Sequence, residues 1–133
     1  MQTVTAQQKF TLAFINDKSP ILDLICNDLI ASGIEVMFRT ETVENCLHKL
    51  SELNTLPQVC VIDLNFHRQD IIAIIKKLRT HYPTIKLIAH SDIDDDKVGK
   101  ALLNIGFSNY LILGSDIDDF KRAIDKTANG YHF

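Results

Sequence analysis

Val59-Cys60-Val61-Ile62-Asp63 is a run of four apolar residues closed by a carboxylate. Apolar residues without polar alternation read as a strand covered on both faces, the environment of a parallel sheet with helices above and below it. Asp63 then lies where such a sheet opens to solvent, because loops at the carboxyl ends of the strands form the ligand crevice. Two more runs have the same form: Leu12-Ala13-Phe14-Ile15 leads into Asn16-Asp17, and Ile85-Lys86-Leu87-Ile88-Ala89 leads into His90-Ser91. Together the three strand ends offer two carboxylates, an amide and a hydroxyl.

Longer amphipathic segments separate these runs, and the alternation counts out five βα units winding a parallel sheet. The first helix begins near Ser19-Pro20, with Ser as cap and Pro suited to the first turn. Ile21, Leu22, Ile25 and Leu29 form its buried stripe, and Gly33 stops it. Residues 34–38 alternate as a second strand, and Val43, Cys46, Leu47, Leu50 and Leu53 follow at helical spacing until Pro57. The third helix is expected over residues 69–81, with Ile71, Ile72, Ile75 and Leu78 inward, and Pro83 breaks it. Ser91 or Asp92 caps a fourth helix carrying Val98, Ala101, Leu102 and Ile105, which Gly106 closes. Asp94, Asp95 and Asp96 lie favourably in its positively polarised first turn. Residues 110–113 form the fifth strand, and Ile117, Phe120, Ile124 and Ala128 stripe a last helix ending at Asn129-Gly130.

At 133 residues and 46% hydrophobic content the chain has the size of one domain with one core, expected over residues 9 to 133 after an extended or disordered segment at 1 to 8. The 14 basic and 17 acidic residues leave a formal charge of -3, and no stretch concentrates Lys or Arg, which argues against direct binding of nucleic acid by this piece. Cys26, Cys46 and Cys60 are odd in number and each sits among apolar residues, so they read as core thiols of a reduced compartment, without disulfide or zinc. The polar start lacks the core of a signal peptide, and no apolar run is long enough to cross a bilayer, which points to the cytoplasm.

Asp17 and Asp63 at neighbouring strand ends make a site for a hard divalent cation such as magnesium, with the backbone carbonyl of Asn65 as a further ligand. A cation there would neutralise the phosphate of an incoming donor and hold it in line with a carboxylate oxygen of Asp63, the candidate nucleophile. Ser91 could hydrogen-bond the transferred group. Taken singly, each of these residues is better explained as a helix or turn cap, and it is their convergence from three strand ends that favours a site.

These residues resemble the receiver domains of two-component response regulators, over nearly the whole chain. In that family an acidic pair ends the first strand, a phosphoacceptor aspartate the third, a Thr or Ser the fourth and a Lys the fifth; Asn16-Asp17, Asp63 and Ser91 fill the first three positions. Asn109-Tyr110-Leu111-Ile112 and Asn129-Gly130 look like the subfamily whose receiver is joined to a C-terminal helix-turn-helix module. The resemblance implies a flavodoxin-like, doubly wound five-stranded parallel sheet of order 2-1-3-4-5. It also implies magnesium at Asp17, Asp63 and Asn65, with Asn16 acting through water, and a switch formed by Ser91 and Tyr110. A histidine kinase or phosphotransfer protein would be the donor, a homodimer a possible assembly, and DNA would be reached only through an output domain absent from this chain, with no role at a membrane.

The departures from the pattern are concentrated in the pocket. Leu113 stands where the family has its Lys, so the cation that would pair with the phosphoryl group is missing. Asn16 replaces the first acid, His67-Arg68 replace the usual Pro-Gly, and Asp92 replaces a small residue. Lys18, His67 and Arg68 share the rim, but a solvated surface role suits each of them better than compensation for the lost Lys. Asp63 is therefore expected to be an impaired phosphoacceptor in a protein that is not an enzyme. A phosphorylation-independent interaction module is the nearest alternative. A metal-dependent phosphohydrolase on the same fold is the alternative of another class, and it lacks an evident general acid or base beside Asp63.

Overall fold

Successive side chains of a strand point to opposite faces, so a strand without polar residues needs cover on both sides. In the computed structural model, which describes residues 10–16, 20–64, 71–91, 96–112 and 116–128, helices supply that cover. Strands and helices alternate strictly: β1 (Thr11–Ile15), α1 (Pro20–Ala31), β2 (Glu35–Thr40), α2 (Val43–Ser51), β3 (Val59–Asp63), α3 (Ile71–His81), β4 (Lys86–Ser91), α4 (Asp96–Ile105), β5 (Phe107–Ile112) and α5 (Ile117–Ala128). All strand pairs are parallel, and the sheet order is β2-β1-β3-β4-β5, the doubly wound arrangement anticipated above.

Alternation sorts the core into two layers. On one face Ala13, Ile15, Cys60, Ile62, Leu87 and Ala89 meet Cys46 and Leu50 of α2, Ile75 and Leu78 of α3 and Leu102 of α4. On the other, Leu12, Phe14, Val59, Val61, Ile88 and Leu111 meet Leu22, Ile25 and Leu29 of α1 and Phe120 and Ile124 of α5. β3 lies at the centre and every one of its residues is buried, Asp63 included. The three cysteines are buried, free thiols, as their apolar surroundings suggested. A hydrogen bond with Cys46, together with burial, holds the Cys60 thiol well above its usual range, so it packs as a neutral group.

The elements begin and end where local chemistry allows, and this moves several expected boundaries. Gly33, at φ +93°, terminates α1 with the Gly33 N–H on the Ile30 carbonyl and the Ile34 N–H on the Leu29 carbonyl. Ile34 thus belongs to the helix cap, and β2 starts at Glu35 and continues to Thr40, where it still pairs with Ile15. β5 starts at Phe107 rather than at residue 110: Gly106, at φ +113°, turns the chain directly from α4 into a buried Phe107 that pairs with Leu87. Asn109 is accommodated in the strand because its side-chain amide donates to the hydroxyl of the fully buried Thr127. β4 reaches Ser91, and so takes in His90 and Ser91, which the sequence places just past the strand. Leu53 falls beyond α2 yet still packs on the core. The expected helix starts at Ser19, at residues 69–70 and at Asp92, and the helix end at Asn129-Gly130, lie outside the described residues.

The amino-terminal end of the sheet is tied by two cationic side chains. Lys86 Nζ donates to the Thr127 carbonyl in the last turn of α5 at 3.0 Å, a position where positive charge complements the helix dipole. Arg79, near the end of α3, donates to the carbonyls of Gly106 at 3.2 Å and Pro83 at 2.9 Å, and also to that of Ile85. It thereby joins α3, the approach to β4 and the α4–β5 turn. Gly106 permits this approach, since a Cβ there would lie 2.7 Å from Arg79 Cδ. Hydrogen bonds from a charged group to otherwise unsatisfied carbonyls predict a loss of about 2 kcal/mol for Arg79→Ala, read as a fall of roughly 8 °C in Tm by calorimetry. Gly106→Ala meets both the positive φ and the arginine, and should lower the urea midpoint by a comparable margin.

Candidate functional site

In a parallel sheet, residues in register form rows across the strands. Phe14 pairs with Val61 and Ile15 with Ile62, so the next step places Asn16 beside Asp63. Asp63 pairs with His90, and His90 with Leu111. Backbone bonds to the outer neighbours continue past this step: the Asn16 N–H donates to the Thr40 carbonyl of β2 at 2.9 Å and the Leu64 N–H to the His90 carbonyl of β4 at 2.8 Å. An amide, a carboxylate and an imidazole therefore stand side by side at the carboxyl ends of β1, β3 and β4. They are only 4%, 5% and 4% exposed, respectively. Burying three polar side chains in one row is costly unless they have partners, which marks the row as something other than packing.

Each flank of Asp63 has its own character. The His90 ring packs edge-on against Phe120 of α5 with centroids 5.3 Å apart, and Phe120 leans on Phe14 at 6.4 Å. Burial pushes the His90 imidazole below its usual pKa, and the nearby Asp63 carboxylate pulls it only partly back. On the other side, the buried Asn16 Nδ2 has no hydrogen-bond partner among the described residues. Asn16 also lines a cavity of about 300 Å³ with Asp23, Arg39, Thr40 and Glu41. Arg39 and Asp23 form a 2.6 Å ion pair that links β2 to α1 along this cavity; both side chains are partly exposed, so the pair itself adds about 0.5 kcal/mol.

The residues singled out in the sequence are placed as follows. Asp63 is the centre of the row. Ser91 is the last residue of β4, one step beyond His90, and pairs with Ile112 of β5. Tyr110 lies in β5 opposite Ala89. Asp17, Lys18, Asn65, His67, Arg68, Asp92 and Leu113 lie outside the described residues. His90 drew no role from the sequence, although period-two counting along β4 was available to find it: Ile88 and His90 share a face, and Ile88 packs with the α1 and α5 layer. Asp63, with Asp17 and the Asn65 carbonyl, could hold a hard cation that keeps several of its waters. The unused hydrogen-bonding capacity of the Asn16 amide suits such a hydrated site, because it leaves a polar group to meet a water or an anionic oxygen.

No family model matches the chain. Among characterised proteins it is similar to the probable C4-dicarboxylate response regulator DctR of Halalkalibacterium halodurans, with 30% identity over 93 residues, covering 70% of this chain and 40% of that protein. It is also similar to the transcriptional regulatory protein DegU of Brevibacillus brevis, with 28% identity over 96 residues, covering 72% and 40%. The chain thus spans about two fifths of the length of these relatives. Among solved structures, the non-phosphorylated receiver domain of the stress response regulator RcsB from Escherichia coli superposes with a TM-score of 0.81 at 18% identity, over 95% of this chain and 98% of that one, which establishes a common fold.

The state of His90 gives a pH signature. Its folded pKa lies below the ordinary value of about 6.5, so the unfolded chain binds the proton more readily. The associated stability is complete above about pH 6.5 and is lost as pH falls from there through the folded pKa. Urea unfolding at stepped pH should show the wild type losing stability between pH 7 and 5 relative to His90→Gln, which cannot titrate.

Proposed function

Since the chain belongs to the receiver domains of two-component response regulators, we propose that it relays a signal through Asp63, accepting a phosphoryl group from a histidine kinase or a phosphotransfer protein. The observation that carries this reading is the buried carboxylate of Asp63 at the carboxyl end of the central strand, in register with polar neighbours on both sides. A carboxylate oxygen of Asp63 forms a bond to phosphorus as the bond from phosphorus to the donor breaks, giving an acyl phosphate. A magnesium ion held by Asp17, Asp63 and the Asn65 carbonyl, and by Asn16 through water, would supply charge neutralisation of the phosphoryl oxygens. Ser91 hydrogen-bonds the transferred group, and Ser91, Tyr110 and α4 act together as the switch between two surface shapes.

Acceptance is stoichiometric, one group per chain, and the protein does not turn over a substrate. Leu113 leaves the phosphoryl group without a cationic partner, so the acceptor is an impaired one and binding of partners without phosphorylation is the second reading. The chain spans about two fifths of the length of its regulatory relatives, and dimer formation is a property to be measured on the chain itself. No helix among the described residues is long and apolar enough to cross a membrane, and a cytoplasmic site of action follows from the proposed partners.

Incubation with a small phosphodonor and magnesium, followed by intact mass, should show a single phosphoryl adduct that is absent in Asp63→Asn. Leu113→Lys restores a charge-assisted hydrogen bond of about 1.5 to 3 kcal/mol and should raise the yield or lifetime of the adduct by about tenfold or more. An adduct that persists in Asp63→Asn, or steady turnover of a phosphate ester, would refute this assignment.

A further inference from the structure

Asn16 combines three properties that together call for a ligand. It is 4% exposed, its Nδ2 has no partner among the described residues, and it lies one register step from Ile15, which pairs with the residue before Asp63. An N–H donor buried without an acceptor lowers stability, and such a group persists where something outside the resting fold completes it. Asn16 also borders open space on its β2 side, a cavity of about 300 Å³ shared with Asp23, Arg39, Thr40 and Glu41. The geometry restricts what the partner can be. It must bring a hydrogen-bond acceptor to the Asp63 end of the row, and it must be small, because Thr40 on one side and Asp63 on the other are themselves buried.

We propose that Asn16 is a phosphoryl-binding residue, its Nδ2–H donating to an oxygen of the group carried by Asp63. This deepens, and rests on, the reading of Asp63 as phosphoacceptor. An amide has both an acceptor and two donors, so Oδ1 remains available to a water on the cation while Nδ2 serves the anion. The orphaned atom in the resting chain is thus half of a hydrogen bond that forms only with the acyl phosphate. A neutral donor takes up part of the task left by Leu113, and it does so from the β1 side of Asp63 rather than from β5.

The test compares wild type, Asn16→Ala, Asn16→Asp and Asp63→Asn, in magnesium, with two probes: beryllofluoride as a mimic of the phosphoryl group, and the adduct formed with a small phosphodonor. Losing a hydrogen bond to a charged group should weaken beryllofluoride binding in Asn16→Ala by about tenfold and shorten the adduct's half-life by a similar factor. Its Tm should stay level or rise, since an unsatisfied buried donor has been removed. Asn16→Asp, which offers only acceptors, should bind magnesium more tightly without regaining the lost beryllofluoride affinity beyond what the metal gain supplies. Equal affinity and lifetime in wild type and Asn16→Ala would overturn the donor role while leaving Asp63 as acceptor. A wild type that takes up neither probe would overturn the donor and the acceptor together.

Discussion

Parallel pairing of β1, β3 and β4 is the constraint from which the rest of this molecule follows. Hydrogen bonding in register leaves no freedom to slide one strand along another, because a one-residue slip would move every side chain of that strand to the opposite face. The apolar layers formed by Ala13, Cys60 and Leu87 on one side, and by Phe14, Val61 and Ile88 on the other, enforce that register. Once it is set, the residues one step beyond the apolar runs have no choice of neighbour: Asn16, Asp63 and His90 must line up. The core thus does more than stabilise the domain, since it positions the chemistry.

The row differs from the family pattern in the charge of its members. The family pattern places charges around the acceptor: acids for the cation and a lysine for the phosphoryl group. Here an amide and a buried imidazole flank the carboxylate, and Leu113 stands in the lysine position. Neutral dipoles in a water-poor site give up the long-range attraction of full charges but keep directional hydrogen bonding, which is the larger part of what orients a tetrahedral group. His90 extends the row toward α5, because its ring contacts Phe120, which in turn leans on Phe14. Any displacement of the imidazole is therefore felt by a helix on the surface. At the opposite end of the sheet, Arg79 and Lys86 donate to loop and helix-end carbonyls and so tie α3, β4, the α4–β5 turn and α5 together.

Much of the fold was legible along the chain because its signals are local. The unbroken apolar run ending at Asp63 announced a strand with two covered faces, and the stripes Leu22-Ile25-Leu29 and Phe120-Ile124 announced helices that the structure packs on one layer. Gly33 and Gly106 marked helix ends that both adopt positive φ. Where the reading slipped, a tertiary contact had outweighed a local preference. The fifth strand takes in residues before 110 because Phe107 is buried and pairs with Leu87 and Thr127 accepts the Asn109 amide proton, and Ile34 reads as strand until its N–H is taken by the end of α1. Leu53 kept its helical spacing on paper while the chain had already left the helix, because burial against the core satisfies it equally well outside α2.

The candidate site divides in the same way. Sequence alone determined that a carboxylate ends the central strand, that an amide and an acid end the first, that a hydroxyl ends the fourth, and that the expected lysine is a leucine, because these are matters of residue type and order. Only the tertiary structure decided that His90 turns inward beside Asp63, that Phe120 closes over it, and that the Asn16 amide is buried with its donor unused. The physical reason is that type and order are properties of one strand at a time. Burial, hydrogen-bond partnership and the shift of a pKa belong to the space between strands, and that space exists only when the sheet has formed.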